Sequence, residues 1–112
     1  MAIVRIDAYR SMAFGSITGA FQALGAPLTH NWRIIHLVNN TDGDMIFSFD
    51  GTTNNLFVPA GNFLLYDIAT NSNANVGSTE LVFAKGTQVF IKRSTVPTRG
   101  AVYMQGAYAQ GE

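Results

Sequence analysis

Residues 39–67, NNTDGDMIFSFDGTTNNLFVPAGNFLLYD, decide the fold. Met45, Phe47 and Phe49 alternate with Ile46 and Ser48, the period of two that sends successive side chains to opposite faces of a strand. Residues 39–44 are rich in Asn, Asp and Gly, which tolerate left-handed backbone and make turns. Residues 50–55, DGTTNN, form a second polar turn. Leu56 to Val58 then make a short strand, Pro59-Ala60-Gly61 breaks it, and residues 62–68 resume with Phe63 and Leu65 against Leu64, Tyr66 and Ile68. The first turn, about five residues long, predicts a hairpin in which the strand before Asn39 returns at Met45.

The rest of the chain has the same grammar. In residues 31–38, NWRIIHLV, Trp32, Ile34, His36 and Val38 alternate with Arg33, Ile35 and Leu37. Both sets are largely apolar, which predicts a central strand covered on both faces. Residues 2–10 alternate loosely, with Val4 and Ile6 opposed to Arg5 and Asp7, as an edge strand does. Gly15 and Gly19 inside the apolar run 11–21 predict a bent or bulged strand and argue against a helix. Residues 24–29 turn, residues 69–78 form a polar loop, and residues 79–84 and 87–93 form a strand pair joined at Lys85-Gly86. Pro97 marks a further turn. The last strand, residues 101–109, sets Val102, Met104 and Tyr108 against Tyr103 and Gln105. About eight strands with no helix make this an all-β chain, an antiparallel two-sheet β-sandwich or a jelly roll.

At 112 residues the chain makes one domain, in which residues 1–10 are expected to form an N-terminal arm or an exchanged edge strand. Hydrophobic residues make up 47% of it, including eight Phe, four Tyr and one Trp, so a core can form. Charged residues are only 12%, about half the usual ~25%, which leaves little material for a fully solvated surface and predicts that a partner covers part of it. Seven basic residues balance seven acidic ones, and Lys92, Arg93 and Arg99 are too few to hold a phosphate backbone, so no nucleic-acid partner is expected. There is no cysteine, which removes disulfides and thiolate chemistry. Charges at Arg5, Asp7 and Arg10 interrupt the apolar run a secretion signal needs, and no stretch approaches ~18 apolar residues. A soluble chain made in the cytoplasm, without a membrane partner, is the expectation. On those grounds the glycosylation triplet Asn39-Asn40-Thr41 is read as accidental.

No catalytic constellation emerges. His30 and His36 lack metal-ligand spacing, and His36, placed beside Trp32, Ile34 and Val38, is expected to be a partly buried structural histidine. Gly15-Ser16-Ile17-Thr18-Gly19 misses the spacing of a nucleophile elbow. Asp44 and Asp50 stand at opposite ends of one strand, about 20 Å apart and too distant for paired-carboxylate chemistry. Asp42-Gly43-Asp44 offers oxygen ligands for calcium but lacks the pattern of an EF-hand loop, so its carboxylates are read as turn acceptors. Trp32, Tyr66, Tyr103 and Tyr108 would make a sugar-stacking platform if exposed, and on alternating strand positions are expected in core or subunit contacts instead. The sequence therefore predicts no enzyme, no cofactor and no metal site.

Several short motifs occur in order: Trp32-Arg33-Ile34, Asn39-Asn40-Thr41-Asp42-Gly43-Asp44, Ser48-Phe49-Asp50-Gly51, Val58-Pro59-Ala60-Gly61, Tyr66-Asp67, Lys85-Gly86-Thr87-Gln88 and Val102-Tyr103. Through them the chain, from about Arg5 to Tyr108, resembles small all-β structural proteins of tailed bacteriophage virions. The resemblance implies repeated copies on a capsid, neck or tail, hence a virion location. Its leading form is a capsid decoration or cement subunit bound to the major capsid protein or another virion protein, as a dimer, trimer or larger homo-oligomer. A head-tail connector or tail component is the alternative, and a carbohydrate-binding sandwich for host attachment the alternative of another class. The residues expected at an interface are Ile3, Val4, Ile6 and Tyr9 in the N-terminal arm, Asp42 and Asp44 at the turn tip, and Trp32, Tyr103 and Tyr108 on strands.

Overall fold

The computed structural model describes residues 3–67 and 83–109. Among them are nine strands and a single 3-10 turn at Phe14–Ser16, where the glycine-containing run bends as expected. The strands are β1 (Val4–Ile6), β2 (Arg10–Ala13), β3 (Gln22–Ala23), β4 (Trp32–Thr41), β5 (Met45–Ser48), β6 (Leu56–Val58), β7 (Phe63–Asp67), β8 (Phe90–Arg93) and β9 (Gly100–Ala109). They form two antiparallel sheets. The first has the order β1-β9-β4-β7 with β2 also on β9, and the second has the order β3-β8-β5-β6. The long polar loop expected at 69–78 and the strand expected from residue 79 lie outside the described residues until Phe83, which bridges Trp32 and not residues 87–93.

Between the sheets lies one core. Trp32, Ile35, Leu37, Val102 and Met104 from the first sheet meet Met45, Phe47, Val58 and Ile91 from the second, all at most 1% exposed. Each fully buried aliphatic or aromatic side chain contributes about 1.5–3 kcal/mol. β5 supplies Met45 and Phe47 inward, the alternation read from the sequence.

The expected hairpin between β4 and β5 does not form. β4 pairs with β9 and β7, whereas β5 pairs with β6 and β8, so residues 42–44 carry the chain from one sheet to the other. The hairpin of this stretch is β5–β6, closed by residues 49–55. Pro59-Ala60-Gly61 then returns the chain to the first sheet, where β7 lies along β4 with Val38 opposite Phe63 and His36 opposite Leu65. Alternation reveals which residues face a core; it carries no information about which sheet a strand joins.

A second correction concerns Trp32. The register of β4 against β9 slips between Trp32 and Ile34, a bulge that brings Trp32 to the same side as Ile35 and Leu37. His36 is left on the opposite face with Ile34 and Val38, away from the tryptophan it was expected to join. That opposite face is not covered by the described chain as a central strand would require: Ile34, His36 and Val38 are only half-buried.

Candidate functional site

The polar side chains that drew attention in the sequence are used to hold loops. Asn39 is completely buried at the crossover from β4. Its amide donates to the carbonyls of Gly43 (2.8 Å) and Val58 (2.9 Å), and its oxygen accepts from the Thr41 backbone N–H (3.1 Å) and lies 2.6 Å from the Thr41 hydroxyl. One side chain thus ties the turn to β6 of the second sheet, and its burial leaves no room for a glycan. Asp44 accepts from the Ala60 N–H (2.9 Å), and its backbone N–H donates to the Thr95 hydroxyl (2.7 Å).

Asp42 caps the loop before β9. It accepts from the N–H groups of Thr98 and Arg99 and from the Thr98 hydroxyl, and these bonds, led by that hydroxyl, lower its pKa from 3.8 to about 2. Asp50 does the same for its own turn. The Thr53 hydroxyl, the N–H groups of Thr53 and Thr52 and the Ser48 hydroxyl all donate to it and hold its carboxyl well below the usual range. Both carboxylates are engaged as hydrogen-bond acceptors within their loops. Among the described residues no group of three or more His, Asp or Glu side chains is placed to hold a metal ion.

A further cluster was not foreseen. Asp7, between β1 and β2, accepts a hydrogen bond from the Trp32 indole N–H (3.0 Å), lies 3.5 Å from an Arg10 guanidinium nitrogen, and donates its own backbone N–H to Gly106. Burial pushes its carboxyl up, but the Ala8 N–H, the Trp32 indole and Arg10 outweigh that and leave it lowered. The Arg10 guanidinium sits 5.0 Å from the Trp32 ring centre, a cation–π contact. A Cβ on Gly106 would stand 2.1 Å from the Trp32 ring, so only glycine lets the indole lie flat on β9. The sole sequence signal for this cluster was the aspartate between two apolar strands.

Trp32, expected in core or subunit contacts, is fully buried in the core of the chain. Tyr108 is half-buried and stacks on His30 with ring centres 3.8 Å apart, which gives that turn histidine a place. Ile3, Val4, Ile6 and Tyr9 do lie at the surface, between 50% and 76% exposed. The rings of Tyr9 and Tyr103 pack edge to face with centres 5.9 Å apart.

These exposed residues belong to a larger surface. Strand partners share a face, so the pairs Ile6 with Ala107, Ile34 with Ala107, Val38 with Tyr103 and Val38 with Phe63 align across four strands on the outer side of the first sheet. His36 sits among them, its ring 5.2 Å from that of Phe63. Phe63 is 65% and Leu65 55% exposed. The outer side of the second sheet is also apolar: Ile46 lies opposite both Phe57 and Lys92, and the Lys92 ammonium rests 4.5 Å from the Phe21 ring centre.

No family model and no curated protein matches the sequence. Among solved structures the chain is similar to one from a study of Bacillus endospore appendages, described as a family of disulfide-linked pili, with a TM-score of 0.52 and 11% identity over 97% of this chain and 90% of that one. The likeness is one of fold; the disulfides named for those pili have no counterpart in a chain without cysteine. A weaker match is the Dit protein (gp 19.1) of phage SPP1, described as a hub of the adsorption apparatus, with a TM-score of 0.41 and 9% identity over 94% of this chain and 49% of that one.

Proposed function

We propose that this protein is a non-enzymatic structural subunit of a multi-copy assembly, and that the assembly is the virion of a tailed phage, with capsid decoration as the leading location. The observation that carries the reading is the exposure of large apolar side chains on both outer sides of the sandwich: Ile6, Phe63 and Leu65 on one, Phe57 on the other. Scattered apolar residues are ordinary on a surface, whereas rows of them aligned across several strands mark contact sites. The aspartates of the turns support the reading from the other direction, since each is engaged in fixing a loop. The resemblance to virion proteins supplies the phage context, and the pilus subunit is a protein of this fold that is described in an appendage. In such a particle each contact is weak and multiplicity makes the sum strong.

Quantitative mass spectrometry of purified particles from the source that encodes the chain tests this. Copies in the hundreds agree with capsid decoration, and a ring of about six or twelve copies places the chain at the neck or tail instead. A chain absent from every particle and recovered only free in solution overturns the structural role.

A further inference from the structure

We propose that the outer face of the β1-β9-β4-β7 sheet is the contact with a second copy of this chain, packed sheet to sheet in a two-fold dimer. The inference deepens the assembly reading and rests on it for its biological use.

Charge selects the occupant. Along this face β4 presents Ile34, His36 and Val38, and β9 presents Tyr103 and Gln105, none of them Lys, Arg, Asp or Glu. Charge is confined to one end, where Arg33 precedes Ile34 and Asp67 pairs with it, one of each sign. A strongly acidic or basic partner would find nothing to pair with across the middle. A second copy meets a neutral, apolar surface that repels itself nowhere, as a self-complementary two-fold contact requires.

Size agrees. β4 and β9 are ten residues long, which at ~3.3 Å per residue gives about 33 Å, and four strands ~4.8 Å apart span about 19 Å. With β7 only five residues long and β1 and β2 three and four, the strand face is about 500 Å² per copy. Two copies would bury about 1,000 Å², the least area a specific interface is expected to clear. Sheets stack at ~10 Å through side chains of this kind, and the exposed Phe63, paired with Val38 toward the middle of β4, is the aromatic anchor such a contact needs.

Sedimentation velocity of the full chain from about 1 to about 100 µM, where an interface of this size associates, reads the result. The expected outcome is a species of twice the chain mass. Leu65→Glu and, independently, Phe63→Lys each return it to the monomer, with a thermal unfolding curve that matches the wild type at dilutions where the wild type is itself monomeric, because both side chains are more than half exposed in the single chain. Phe57→Glu, on the opposite sheet, leaves the dimer intact. A wild-type chain that stays monomeric overturns the proposal. So does a trimer, a dimer that survives both Leu65→Glu and Phe63→Lys, or one that Phe57→Glu dissociates. A solution dimer whose chain is missing from particles would sink the assembly role while leaving this interface standing. A particle-bound chain that is monomeric in solution would do the reverse.

Discussion

Asn39 illustrates how one side chain can hold two sheets in place. Its four contacts are buried, and Asn39→Ala takes the side-chain amide donor from the Val58 carbonyl while the Gly43 carbonyl keeps the Thr41 hydroxyl. A buried group left unsatisfied costs about 1–3 kcal/mol, and the variant is expected to lose about that much in urea unfolding. Acid has a separate effect through the loop aspartates. Asp42, with a folded pKa of about 2 against an ordinary 3.8, and Asp50, lowered further, bind protons more weakly when folded than when unfolded. Their stabilisation is therefore complete above the unfolded value and is lost as pH falls through the folded one. Urea midpoints should drop as pH falls from about 4 to about 2, and more shallowly in an Asp42→Asn, Asp50→Asn double variant, which no longer binds those protons. The sequence showed that these aspartates sit in turns. It did not show that Asp42 serves Thr98, 56 residues later in the loop before β9.

At the scale of elements, β9 and β4 are the backbone of the fold. β9 is hydrogen-bonded by β1 and β2 on one side and β4 on the other, and β4 by β9 and β7. β1 contrasts with both, its three residues all exposed while its main chain is paired. Hydrogen exchange should be slowest in the middles of β4 and β9 and fastest in β1, because an edge strand with little buried side-chain surface opens locally at small cost. Uniform protection from β1 to β9 would contradict this ordering. The edge character of residues 2–10 was legible in their loose alternation. The role of Trp32 was not, because a bulge of one residue moves a side chain across the sheet without altering the spacing in the sequence.

For the whole molecule, the topology joins its ends. Val4 lies opposite Ala109, so β1 docks only when residues at both ends of the chain have met. Contacts between residues so distant in sequence slow folding, and refolding should take milliseconds to seconds, not microseconds. Trp32, the one tryptophan, is buried and bonded to Asp7, so its fluorescence in stopped flow reports formation of that contact. The same topology leaves a broad apolar face on the outer side of the first sheet, which no single stretch of sequence displays, since it is assembled from strands far apart in the chain.

By itself the sequence determined the class of the protein. Alternation of apolar residues, punctuated by Asn, Asp, Gly and Pro, fixes short strands and turns because both signals are local properties of the chain. It also determined that charge is scarce and that the turn aspartates are too far apart along β5 to act as a pair. The tertiary structure decided which strands pair, that residues 42–44 cross between sheets, and that Trp32 is core while His36, Phe63 and Leu65 share an outer face. Those outcomes depend on competition among distant strands for the same hydrogen-bonding edges and the same buried volume, and a period of two cannot encode which neighbour wins.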